Sequence, residues 1–152
     1  MIVYISLVLI ITVWLILLCL PSIFHLFGAE QISGWYYAAF KLLCHQQPER
    51  SYFILGKQMT VCARCLGVYL GVLVGLVIYP FSKSLNNTKL PPIRMLAWFF
   101  MPIIIDGLFQ SFHVYNSGNY IRTATGLIAT APLAFYAVPL INQIVLRIKE
   151  DL

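Results

Sequence analysis

Cys44 and His45 are adjacent, and Cys62 and Cys65 stand in a Cys-Ala-Arg-Cys run that opens a long apolar stretch. That stretch has the character of a helix, so the run lies at a helix N-terminus. The helix end and the intervening Arg64 both favour thiolate over thiol, which is the form that metal binding and disulfide exchange require. Three sulfurs with one nitrogen or oxygen make a common zinc set. Cys44, Cys62 and Cys65 are therefore the expected metal ligands, with His45 or Asp106 completing the shell. The adjacency of residues 44 and 45 weighs against both reaching one ion, which favours Asp106 or water. A single C-x-x-C also suits a redox pair, a structural disulfide or inert thiols. Cys19, in the first apolar run, is expected to face lipid or a neighbouring helix.

Asp106, Gln110 and His113 follow at i, i+4 and i+7, one face of a helix. Arg122, Thr125 and Gly126 share a face in the same way. An ionisable residue inside an apolar run is expensive and marks a site by default. Asp106 or His45 would serve as general base on metal-bound water. The blander role for Asp106 is an ion pair with Arg64 or Arg122. Arg50, Lys57, Arg64 and Arg122 suit a phosphate or carboxylate, whose oxygens match the guanidinium fork, or simply lipid headgroups. Arg50, Arg64, Gln110 and Arg122 are the expected substrate contacts. His25 and His113 read as interfacial.

The rest of the chain must position these groups. Of its 152 residues, 61% are hydrophobic and 10% charged, against roughly 25% charged in a soluble domain. That balance excludes a water-soluble globule and, equally, a disordered chain. The net charge of +5 does not point to nucleic acid, because the basic residues are scattered between apolar runs. Crossing a bilayer takes about 20 apolar residues, and the runs predict four spans, at about 2–20, 62–81, 93–113 and 120–146. The first lacks the basic start and small-residue cleavage site of a signal peptide, so it is expected to be retained, ending near Pro21. Residues 34–45, too short to cross, predict an interfacial or re-entrant helix headed by Trp35, Tyr36 and Tyr37. Residues 46–60 predict irregular chain. The expectation is a single all-α membrane domain over residues 1–152. Gly67, Gly71 and Gly75 form a stripe that lets helices approach closely.

Four spans place the 28–61 and 114–119 connections on one face, and the termini with the 82–92 loop on the other. The first face carries Lys41, Arg50, Lys57, Arg64 and Arg122, and the second Lys83, Lys89, Arg94, Arg147 and Lys149. The counts are equal, so the positive-inside rule does not decide. The short basic loop and basic tail favour cytoplasmic termini in a prokaryotic plasma membrane. All the unusual residues converge on the first face.

Cys44-His45-Gln46-Gln47-Pro48-Glu49-Arg50-Ser51 and Cys62-Ala63-Arg64-Cys65-Leu66-Gly67-Val68-Tyr69-Leu70-Gly71 together resemble the C-H-Q-x-P-x-R-S and C-A-R-C-x-G-x-Y-x-G motifs of a family of small, predicted polytopic membrane proteins of bacteria and archaea, a domain of unknown function. Asp106-Gly107-Leu108-Phe109-Gln110 matches its D-G-x-x-Q element. Asn119, Arg122, Thr125 and Gly126 match its N-x-x-R-x-x-T-G element. The resemblance runs from Cys44 to Gly126 and implies that the matched polar residues form one site.

Three functions follow. The favoured one is a zinc site at one membrane face that acts on an anionic, lipid-borne or phosphate-bearing substrate. The second is a membrane thiol–disulfide oxidoreductase using Cys62 and Cys65, with Cys44 as relay. The third is a non-enzymatic carrier, which four spans would allow only as a homo-oligomer. The sequence leaves open whether the protein is an enzyme.

Overall fold

In lipid a chain must satisfy its own backbone, so uncharged apolar runs become helices. The structure is a computed structural model that describes residues 2–24 and 27–150, leaving His25 outside. Its helices are α1 (Ile2–Phe24), α2 (Glu30–Phe40), α3 (Ala63–Ser82), α4 (Arg94–Ser111), α5 (Asn119–Thr130) and α6 (Ala134–Glu150). A 3-10 turn over Ala131–Leu133, containing Pro132, joins α5 to α6. The expected single helix over 120–146 is therefore broken where proline removes a backbone donor.

Among the described residues three stretches are long and apolar enough to cross a membrane: Ile2–Phe24, Ala63–Ser82 and Asn119–Lys149. The expected third span, α4, is a helix but does not reach that standard. Its 18 residues include Arg94, Asp106 and Gln110, and at ~1.5 Å per residue it is about 27 Å long.

Pro21 does not end α1, which continues to Phe24. Polar side chains cap the carbonyls around it: Thr60 donates to Leu18 O at 3.0 Å, and Ser33 donates to Pro21 O at 3.1 Å. The helix expected over 34–45 starts and stops earlier. After Phe40 the chain turns, with the Leu43 and Cys44 amides both donating to Phe40 O. Cys44 thereby enters a core with Leu18, Phe40, Val61 and Cys62, edged by Trp14, Leu66 and Tyr69.

The all-α expectation is corrected at residues 51–62. Strands β1 (Ser51–Ile54) and β2 (Lys57–Cys62) form an antiparallel hairpin, with Ile54 opposite Lys57 and Ser51 opposite Cys62. Leu55 and Gly56 make the two-residue turn with φ of +51° and +78°, the signs a type I′ hairpin needs. Glycine takes such a φ freely and leucine does not. The last four residues of β2 are buried, and the strand runs straight into α3, for which Cys62 is the N-cap.

The glycine stripe of α3 packs on α5 as expected. A Cβ at Gly67 would lie 2.2 Å from Thr123 O, one at Gly71 2.5 Å from Leu127 O, and one at Gly75 1.9 Å from Ala131 O. Contacts that advance together along both helices mean that α3 and α5 run parallel. The two N-termini therefore lie at the same end. Helix α4 runs the other way, because Asp106 near its C-terminus pairs with Arg64 at the start of α3. At the opposite end Asn142 donates to Leu85 O, Gln143 to Thr88 O and Tyr136 to Pro92 O. The remaining helix faces are apolar and exposed, for example Ile5, Leu9 and Ile16 on α1 and Trp98, Ile105 and Leu108 on α4, as lipid contact requires.

Candidate functional site

The hairpin and the 44–50 segment bring the sulfurs together. The Gln46 side chain donates to Tyr37 O and Thr60 O, both at 2.9 Å, and Gln58 donates back to Gln46 O at 2.6 Å. Tyr37 also hydrogen-bonds Gln58 O. These bonds hold Gln46 at a φ of +49° and lay Cys44 and His45 against the end of β2. The Cys62 amide donates to Cys44 Sγ at 3.1 Å.

The sulfurs of Cys44 and Cys62 and a ring nitrogen of His45 all lie within 4.8 Å of one another. Cys44 Sγ and His45 Nδ1 are 3.8 Å apart. Ligands of a tetrahedral zinc at ordinary bond lengths stand roughly 3.5–3.8 Å apart, so the donors are nearly at coordinating separation. Adjacency does not keep Cys44 and His45 apart, contrary to the expectation from sequence. Cys65, one helical turn on, hydrogen-bonds to Cys62 and is flanked by Cys44. That bond, opposed by burial, pulls the Cys62 thiol down to about 5. All four cysteines are free.

Asp106 is not in the cluster. It is 3% exposed and accepts from Arg64, from the Tyr115 hydroxyl and, at 2.7 Å, from Gln110 Nε2. Gln110 also reaches Ser117 at 2.6 Å. The hydrogen bond to Asp106 raises the Tyr115 hydroxyl above its ordinary value. Of the two sequence readings, the ion pair is the one present, and Arg64 rather than Arg122 is the partner.

Arg122 is 5% exposed, and its Nε has no hydrogen-bond partner among the described residues; the same holds for Arg64 Nε. Both arginines, with His45, Arg50, Cys62, Cys65 and Gln110, line a cavity of about 160 Å³. Thus eight of the nine singled-out residues meet there or in the sulfur cluster beside it, and Asp106 supports them from behind. A larger cavity of about 630 Å³ shares Arg50 and Arg122 and extends over Gln47, Pro48, Glu49, Asn116 and Ser117. His113, past the end of α4 with a φ of +57°, is exposed, and Lys57 stands at the hairpin turn; neither lines the inner cavity. Tyr115 and Ser117 were not anticipated. Their signal was a polar loop on the same face as the cysteines, since loops on a rigid scaffold often carry function.

Residues 44–136 match the family described as "Predicted membrane protein (DUF2085)". The chain belongs to that family. Its matched segment begins at Cys44 and takes in every residue of both cavities. An uncharacterized protein of Methanocaldococcus jannaschii is 43% identical over 116 residues, covering 76% of this chain and 74% of that one. An uncharacterized protein of Methanothermobacter thermautotrophicus is 35% identical over 95 residues, covering 62% of this chain and 84% of that one. No solved structure matches. With its apolar helices, this DUF2085 chain is a member of a family of small prokaryotic membrane proteins.

Proposed function

We propose that the protein is a zinc-binding membrane protein whose metal centre stands beside an arginine-lined site for an anionic, lipid-borne substrate. The observation that carries this reading is the cluster of Cys44, Cys62 and His45 donors within 4.8 Å. Cys65 is the candidate fourth ligand, and a water or substrate oxygen is the alternative. Zinc with an open position supplies Lewis-acid chemistry or an activated water. In this reading Cys44 and Cys62 hold the ion, His45 completes three protein ligands, and Arg50, Arg64 and Arg122 hold the anion, with Gln110 on the cavity wall and its amide committed to Asp106 and Ser117. Asp106 is a positioning residue, because Arg64, Tyr115 and Gln110 already occupy its oxygens.

Four passes fit this arrangement. Helix α4 returns from the end that holds Pro92 to the end that holds Arg64, so it runs the height of the bundle even with polar residues in it. The termini then lie on the side opposite the site, which we assign to the cytoplasm.

The test is metal analysis of protein purified under reducing conditions. About one zinc per chain is expected, and a metal-free, fully folded protein would contradict the reading. A thiol–disulfide role is the second reading, favoured by the Cys62–Cys65 hydrogen bond and the lowered Cys62 thiol. Thiol trapping in cells separates the two, because a redox pair must be found partly oxidised.

A further inference from the structure

The inner cavity presents three guanidiniums, from Arg50, Arg64 and Arg122. Asp106, the carboxylate that neutralises Arg64, leaves two positive charges over. A zinc ion with two thiolates and a neutral imidazole adds no net charge, and a third thiolate from Cys65 would remove only one of the two charges, as would a lone Cys62 thiolate without the metal, so a positive excess remains. Glu49 lies on the wall of the outer cavity and is exposed to solvent, where its field is screened.

Burying an arginine whose Nε finds no partner is costly unless something else meets it. Arg122 is 5% exposed and Arg64 28%, and both Nε atoms are unmatched among the described residues. The helices add to this field. Because α3 and α5 run parallel, both N-termini point to this end, each with roughly half a positive charge. Gly118 caps α5 without any side-chain hydrogen bond, so the first amides of that helix are left to other acceptors, whereas at α3 the Cys62 sulfur faces the Arg64 and Cys65 amides.

We propose that the cavity lined by Arg50, Arg64, Arg122 and Gln110 is a binding site for a tetrahedral oxyanion of the phosphate-monoester class. A planar carboxylate has two oxygens and is satisfied by one guanidinium fork. The Arg50 and Arg122 guanidiniums and the unmatched Nε edge of Arg64, from three separate positions, call for an anion with three free oxygens and a charge near −2, while the Gln110 amide stays committed to Asp106 and Ser117. Phosphate monoesters have both at neutral pH. The volume agrees: about 160 Å³ is roughly five water volumes, suited to one phosphoryl group and little more. The outer cavity, about 630 Å³ and sharing the Arg50 and Arg122 walls, is where the group bearing the phosphate would extend. The inference rests on reading this face as a ligand site and does not require the metal.

The test uses the full chain in detergent or nanodiscs, with zinc content and melting temperature measured on every sample. Inorganic phosphate and acetate are titrated by calorimetry. Phosphate is expected to bind at least tenfold more tightly than acetate. Arg50→Gln, at a half-buried position, should weaken phosphate tenfold or more while zinc content and melting temperature hold. Arg122→Lys, which keeps the charge but removes the fork, should weaken it as well. Nanodiscs containing phosphatidic acid, compared with phosphatidylcholine alone, identify the source. If phosphatidic acid excludes free phosphate, the ligand class is a lipid monoester; if both nanodiscs take up phosphate equally, it is a soluble one; either supports the site. A folded protein that binds no phosphate, or binds acetate as well, overturns the inference. So does an Arg50→Gln protein with unchanged phosphate affinity. Phosphate binding by a protein free of zinc would instead sink the metal reading and leave this one standing.

Discussion

The backbone amide of Cys62 donates a hydrogen bond to the sulfur of Cys44 at 3.1 Å. One residue ends a strand and the other follows a short helix, 18 positions earlier. The bond fixes the Cys44 sulfur against the end of the strand, beside the Cys62 side chain. The bond thus ties the geometry of the hairpin to the chemistry of the cluster.

That chemistry predicts a pH dependence. In metal-free protein the Cys62 thiol is held down to about 5, against about 8.5 for an ordinary thiol. The folded pKa is depressed, so the stability this thiolate contributes is full above the ordinary value and is lost as pH falls through about 5. Thiolate ultraviolet absorbance should keep one component down to that pH. Cysteines that all titrate near the ordinary value would contradict it.

Gly67 has no room for a side chain, since a Cβ there would meet Thr123 O at 2.2 Å. Gly67→Ala should destabilise by about 1–3 kcal/mol, the usual cost of overpacking. Gly34, exposed on α2 with nothing within 4 Å of its would-be Cβ, is the control, and Gly34→Ala should be neutral or slightly stabilising. Thermal unfolding in detergent distinguishes the two, and equal effects would refute the α3–α5 packing.

Arg64 and Asp106 join α3 to α4 through a carboxylate that is 3% exposed. Arg64→Gln and Asp106→Asn should therefore couple in a double-mutant cycle by about 0.5–3 kcal/mol. The estimate stays modest because Arg64 is 28% exposed and partly screened. Additive effects would mean that the pair does not bind the helices together.

The path of α4 predicts topology. A protease site inserted after Asn86 and one inserted after Asn116 should be cleaved from opposite sides of sealed vesicles. Cleavage of both from the same side would mean that α4 does not cross.

Much of the site was legible because its physics is local. Ionisable groups inside apolar runs stand out, and helical phase alone aligns Asp106 with Gln110. The glycine stripe likewise gave its face by spacing alone. What escaped depended on tertiary context. The hairpin was hidden because Leu55-Gly56 is a poor turn signal: leucine rarely takes a positive φ, and hydrogen bonds from neighbouring elements hold the chain there. The early end of α2 depends on Cys44 being drawn against Leu18 and Val61. The meeting of Cys44 and His45 with Cys62 was missed because it rests on the hydrogen bonds of Gln46 with Tyr37, Thr60 and Gln58, which lay the segment against the end of β2.

X-ray absorption at the zinc edge of purified, reduced protein tests the metal centre most directly. The account predicts a mixed shell, with sulfur at about 2.3 Å and nitrogen or oxygen at about 2.0–2.1 Å. Cys44→Ser and Cys62→Ser should each lose bound zinc. A shell of nitrogen and oxygen alone, or folded wild-type protein without zinc, would contradict it.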